Sequence, residues 1–106
     1  MNARLDGKVV FISGGGGGIG HAAALAFAAA GARVAACDLD AARAERTAQA
    51  VRDAGGEAIA LAADLREDSD VAAAINAAAA RFGRLDILFN CAGGSVPEDG
   101  TVVDVP

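Results

Sequence analysis

The chain has 106 residues, a length that fits one small domain and leaves no room for a second. Its residues are 54% hydrophobic and 22% charged, so a packed core is expected and disorder is not. A net charge of −5, with no basic cluster, argues against nucleic acid or an anionic membrane as the main partner.

The apolar stretches fall far short of the about 20 residues that cross a bilayer. The start, "MNARLDGK", lacks the apolar region of a secretory leader. Cys37 and Cys91 lie far apart with no second cysteine or histidine near them, a pattern of neither a zinc site nor a disulfide framework. The expectation is two reduced, buried thiols in a cytoplasmic protein. Much of the apolar content is alanine, so the core should be thin and built by close contact of helices with a sheet.

"KVVFIS" (Lys8–Ser13) is a β-branched and aromatic run ending in glycines and reads as a buried strand. "IGHAAALAFAAA" (Ile19–Ala30) is helix-forming, and Gly31 stops it. "ARVAACD" (Ala32–Asp38) is the next strand. "DAARAERTAQAVRDA" (Asp40–Ala54) reads as an amphipathic helix with Asp40 as its cap and a solvated face carrying Arg43, Glu45, Arg46 and Arg52. "EAIALAA" (Glu57–Ala63) is a third strand. From about Ser69 to Phe82, Val71, Ile75, Ala78, Ala79 and Phe82 recur at helical spacing, and Gly83 ends that helix. "LDILFN" (Leu85–Asn90) is the fourth strand. Beyond Gly94, "SVPEDGTVVDVP" reads as loop without a further element. Such alternation of strands and helices implies a parallel sheet with right-handed crossovers.

Between the first strand and first helix stands "SGGGGGIG" (Ser13–Gly20). A linker would not occupy that place. A helix N-terminus preceded by glycines presents free N–H groups and a partial positive charge to an anion. Gly15, Gly17 and Gly20 fit G-x-G-x-x-G, while Gly14, Gly18 and Gly20 fit G-x-x-x-G-x-G. A mononucleotide P-loop is excluded, because His21-Ala22 stands where Lys and Ser or Thr must follow. Asp38 ends the second strand 18 residues beyond Gly20, near the spacing of a carboxylate that accepts from an adenosine ribose. Its charge would repel a 2′-phosphate, and no Arg or Lys lies in the glycine run or directly after it, which favours NAD over NADP. Asp40 competes for this role but has a cap role to explain it.

These residues resemble a particular family. "SGGGGGIG" is similar to the Thr-Gly-x-x-x-Gly-Ile-Gly motif of classical short-chain dehydrogenases/reductases, with Ser13 in the threonine place. "NCAG" (Asn90–Gly93) is similar to their Asn-Asn-Ala-Gly, and "DL" (Asp64-Leu65) stands where they flank adenine. The resemblance implies an α/β, Rossmann-type, doubly wound parallel sheet of order 3-2-1-4, present in part. The first two helices would lie on one face and the third on the other, leaving strand 4 an exposed edge. It implies that Ser13, Gly14, Gly17, Gly18, Ile19 and Gly20 shape the pyrophosphate turn, Gly15 to Gly17 filling its variable places. That surplus of glycine should loosen the turn. Asp38 and Leu39 would meet the adenosine ribose, Asp64 and Leu65 the adenine, and Asn90, Ala92 and Gly93 the nicotinamide side. Cys91 replaces the usual second asparagine. His21, the only histidine, is expected to be an exposed first-turn residue without catalytic duty.

In that family a tyrosine moves the proton, and a lysine four residues later lowers its pKa. This sequence has no tyrosine, and its only lysine is Lys8. Two expectations follow: a cofactor-binding portion of an NAD(P)-dependent oxidoreductase, acting on an alcohol or carbonyl substrate and homo-oligomeric when full length, or a complete non-catalytic module that binds a dinucleotide or a partner. On the first, the isolated chain is expected to be marginally stable or to self-associate through its open edge, and to bind NAD weakly.

Overall fold

The computed structural model describes residues 4–91 and 103–104. The elements are β1 (Val9–Ser13), α1 (Gly18–Ala29), β2 (Arg33–Asp38), α2 (Ala41–Asp53), β3 (Ala58–Ala62), α3 (Asp68–Phe82), β4 (Ile87–Asn90) and β5 (Val103–Asp104). Their sheet order is β3-β2-β1-β4-β5. The first four strands are mutually parallel, in the order 3-2-1-4 that the sequence implies. One expectation is corrected: β4 is not an open edge, because β5 pairs with it antiparallel, Ile87 facing Asp104 and Leu88 facing Val103. "TVVDVP" gave too short a β-branched run to stand out from its loop, and a two-residue strand is defined by its partner rather than by its own pattern.

β1 is buried on both faces, which is why it reads as a continuous apolar run rather than an alternating one. Val10 and Ile12 face α1 and α2, packing with Ala24, Val34, Ala48 and Val51. Val9 and Phe11 face the other way, with Ala35, Cys37, Ala74, Ala78 and Phe82 of the α3 layer. Alanine at Ala24, Ala44, Ala48, Ala74 and Ala78 lets helices sit close to the sheet, so the core is thin.

The helix ends follow local chemistry. Asp40 caps α2, its Oδ1 accepting from the N–H groups of Ala42 at 3.0 Å and Arg43 at 3.3 Å. α3 carries Asp68 and Asp70 in its first turn and Arg81 in its last, and it stops at Gly83, whose φ of 82° is left-handed. α1 differs from both. Its N-cap, Gly17, has no capping side chain, and its first turn contains no acid. The parallel registers bring Ser13 opposite Cys37 and Asn90, and Asp38 opposite Ala62, so all four strands deliver their carboxyl ends to one side of the sheet. In open α/β sheets that side is where ligands bind.

Candidate functional site

A cleft of about 310 Å³ opens at those strand ends. Gly14 and Gly17 of the glycine turn, Asp38 and Leu39 after β2, and Asp64 and Leu65 after β3 all line it. The cleft thus gathers six of the thirteen residues singled out in the sequence. Ser13 and Asn90 stand slightly apart: the Ser13 hydroxyl donates to Asn90 Oδ1 at 2.9 Å, and both line a second groove beside Val71 and Ile75 of α3. Ala92 and Gly93 lie outside the described residues.

The glycine turn is more tightly built than its composition suggests. Gly14 has a φ of 75°, a conformation that favours glycine. The Gly15 N–H donates to the Cys37 carbonyl at 2.9 Å, and the Gly17 N–H to the Gly14 carbonyl at 3.2 Å. Added Cβ atoms separate the glycines into two kinds. At Gly15 the atom would lie 3.0 Å from Ala36 Cβ, at Gly16 2.6 Å from Arg43 Cβ, and at Gly20 2.7 Å from Gly15 Cα. At Gly18 it would meet nothing within 4 Å. The expectation that Gly15 to Gly17 are slack filler is therefore corrected: Gly15 and Gly16 are pressed against β2 and α2, with Gly17 the roomier of the three. The open position, Gly18, begins α1, where the N–H groups of Gly18, Ile19 and Gly20 have no helical acceptor. Leu39, which lines the cleft, and Ile19, in the first turn of α1, are apolar side chains 64% and 72% exposed.

Asp38 already works within the turn. Its Oδ2 accepts from the Gly16 N–H at 3.0 Å and its Oδ1 from the Asp40 N–H at 2.9 Å. A carboxylate has about four acceptor positions, so about two remain. Asp64 is gripped by Arg66, which donates from Nε to Oδ1 and from Nη2 to Oδ2, both at 3.0 Å. This guanidinium holds the Asp64 carboxyl below its ordinary pKa. The Asp64 carbonyl also accepts from the Glu67 N–H at 2.9 Å, shaping the turn into α3.

Three lining residues carried no cofactor role in the sequence. Arg43, read as part of a solvated face, borders the cleft beside Gly17, and Arg66 borders it from the other side. Cys91 is half-buried and lines the cleft, its thiol donating to the Ser13 carbonyl at 3.2 Å. Burial and the nearby Asp38 raise its pKa. His21 is half-buried rather than exposed, because Thr47 of α2 takes its Nδ1 as a partner at 3.1 Å.

Comparison with known proteins agrees with this geometry. The profile of the short chain dehydrogenase family matches residues 8–104. D-threitol dehydrogenase of Mycolicibacterium smegmatis is 48% identical over 90 residues, covering 85% of this chain and 35% of that protein. The crystal structure of hydroxysteroid dehydrogenase from Escherichia coli superposes with a TM-score of 0.84 at 40% identity, covering 88% of this chain and 40% of that one. An NAD⁺-bound xylitol dehydrogenase structure gives 0.82 at 31% identity, covering 92% and 41%. The sheet order and the strand-end cleft define a Rossmann-type dinucleotide fold, and the chain belongs to the short-chain dehydrogenase family. It spans about two-fifths of the length of the relatives it matches.

Proposed function

We propose that this chain is the dinucleotide-holding part of an oxidoreductase that moves a hydride between a nicotinamide and an alcohol or carbonyl carbon, with NAD preferred over NADP. The observation that carries the reading is the single cleft joining the glycine turn, Asp38 and Asp64 at the ends of three adjacent strands. Its volume falls in the range of small-molecule sites. The residues fit such a group: α1 offers an N-terminus without acid or cap, and the space beside Gly18 admits close approach of an anion to backbone.

Bound there, the dinucleotide would supply the hydride donor or acceptor. The chain's own residues would hold it. The amides of Gly18, Ile19 and Gly20 would face the pyrophosphate, and Ser13 would keep Asn90 in place at the end of β4. Asp38 would accept from the ribose hydroxyls with its remaining lone pairs, and Asp64 and Leu65 would border the adenine. Ala92 and Gly93 would follow Asn90 toward the nicotinamide. Asp38 supports NAD, since a 2′-phosphate would meet its negative charge; Arg43 and Arg66 in the same walls reduce that penalty without removing it. The names of the relatives share an alcohol substrate, which supports that class here. Two unpaired thiols suit a reducing cytoplasm.

Calorimetric titration of the chain with NAD and NADP tests this. Saturable NAD binding that weakens about tenfold or more in Asp38→Ala is expected, the loss of a charge-assisted hydrogen bond. Binding of neither dinucleotide, or tighter binding of NADP, overturns it. A second reading, a non-catalytic dinucleotide-binding module, is favoured by the absence of tyrosine and by a single lysine, Lys8, in these residues. Sequencing the reading frame past codon 106 separates the two: an open frame with Tyr-x-x-x-Lys supports the oxidoreductase, a stop codon the module.

A further inference from the structure

Beneath the glycine turn runs a hydrogen-bond chain that starts away from the proposed cofactor contacts. Thr47, in the middle of α2, is 1% exposed, and its hydroxyl donates to the Gly15 carbonyl at 2.7 Å. A threonine hydroxyl has one proton, so toward His21 Nδ1, 3.1 Å away, the same oxygen acts as acceptor. The imidazole therefore carries its proton on Nδ1. The relay has one direction: His21 Nδ1–H to Thr47 Oγ1, then Thr47 Oγ1–H to the Gly15 carbonyl.

That carbonyl belongs to the peptide unit joining Gly15 and Gly16. The N–H of this unit is the one that Asp38 Oδ2 accepts, at 3.0 Å. A peptide unit is planar, so fixing its carbonyl fixes the direction of its N–H. Gly15 and Gly16 lack side chains of their own to restrict rotation, so the orientation of the peptide between them is set by what it packs against and hydrogen-bonds to. On one side that hold is a buried hydroxyl; on the other is the carboxylate proposed to read the ribose.

We infer that Thr47 and His21 are positioning residues that set the orientation of Asp38 through the Gly15–Gly16 peptide, and so tune ribose recognition from the first turn of α1. The inference rests on the dinucleotide reading. The relay links α1, α2, the glycine turn and the end of β2 into one unit, and it predicts an effect on selectivity beyond any effect on folding.

The test pairs variants that keep or remove one donor. Asparagine places its amide nitrogen where Nδ1 stands, whereas glutamine reaches toward the Nε2 position. Thr47→Ser and His21→Asn are expected to keep the preference for NAD over NADP. Thr47→Val and His21→Gln are expected to shrink it by about fivefold, the worth of one hydrogen bond. Nitrogen NMR of the imidazole is expected to show the Nδ1–H form in the wild type and its loss of dominance in Thr47→Val. Gly16 amide exchange should rise in the same variant. If Thr47→Val fails to fold, His21→Gln, altered at a half-buried position, decides alone. Variants that melt lower yet keep the NAD:NADP ratio would show a merely structural role and overturn the inference, as would an Nε2–H imidazole. A wild-type chain that binds no dinucleotide overturns the proposed function instead, and the imidazole and exchange measurements, which need no ligand, still decide the relay.

Discussion

The cleft has two walls of opposite construction. The turn after β1 is held by backbone packing and buried hydrogen bonds: Gly20 lies against Gly14 and Gly15, Gly15 is bonded to Cys37 of β2, and Thr47 supports it from below. The turn after β3 is held by exposed charge, with Asp64 gripped by Arg66 and its N–H donated to Asp70 at 3.2 Å. Short-range repulsion rises steeply as atoms approach and is insensitive to salt or pH. An exposed ion pair is neither, and it is weak. The first wall should therefore behave as rigid framework and the second as an adjustable border, and the two should answer differently to substitution and pH.

The largest effect is expected at Gly20→Ala. Its Cβ would press on the Gly14 carbonyl and lie 2.7 Å from Gly15 Cα, and both obstacles are backbone. Overpacking of this kind costs about 2–3 kcal/mol, which for a domain of this size lowers Tm by about 10 °C or more. Calorimetric melting checks this, and a variant as stable as the wild type would show that the wall yields. Next comes alkaline pH. Burial, and secondarily the charge of Asp38, push the Cys37 thiol from 9.0 up to about 11. A raised folded pKa means that stability is whole below about pH 9 and declines as pH rises toward about 11. The loss should be about 2–3 kcal/mol at most and should vanish in Cys37→Ala when denaturant midpoints are compared at pH 8 and 11. An unchanged pH dependence in that variant would remove Cys37 as its source.

A smaller change of opposite sign is expected at Gly18→Ala. The added methyl meets nothing within 4 Å, and alanine in a helix gains up to about 1 kcal/mol over glycine. Stability should hold or rise while dinucleotide affinity falls, because the methyl occupies the approach to the first helical amides. Binding undiminished in a well-folded Gly18→Ala would place the pyrophosphate elsewhere. Gly18 and Gly20 are thus the sharpest internal contrast: both amides are proposed to face the ligand, but only at Gly20 does the fold itself leave no room for a side chain.

The fold was largely readable in the sequence because each major element carries its own signal. β1 is a continuous apolar run, α2 begins at a capping aspartate, and α3 ends at a glycine with a positive φ. β5 carried no such signal, since its identity comes from β4. Within the cleft, Asp38 was legible as the last residue of β2, whereas Asp64, two residues past β3, was singled out only through the family resemblance. Thr47 was not, because one hydroxyl on a helix face of Ala44, Ala48 and Val51 looks like ordinary core until its partner, 32 residues away, is known. Arg43 gave no sign of a site role for a related reason: it lies on an exposed face of α2 with Glu45 and Arg46, and only the packing of α2 against the turn makes it a wall of the cleft. Likewise the five glycines look interchangeable in the sequence, and the differences among them come from what lies across from each.

The smallest effect, and the one that separates the walls most directly, is expected at Arg66→Ala. Arg66 is exposed, so its loss should leave Tm close to that of the wild type. What should change is the acid limb of the cleft. The Arg66 side chain, and after it the Arg66 backbone N–H, hold the folded Asp64 pKa below 3.8. A depressed carboxyl contributes stability that is present above the unfolded value and lost as pH falls through the folded one. Without the guanidinium the carboxyl should titrate at higher pH, a shift that carboxyl ¹³C NMR reads at Asp64 alone. Sodium chloride at about 1 M should move the wild-type value the same way, since it screens the exposed pair. Gly16 amide exchange, reporting the other wall, should respond to neither. If removing Arg66 or adding salt accelerates that exchange, the walls are coupled, and the division into a rigid frame and an adjustable border fails.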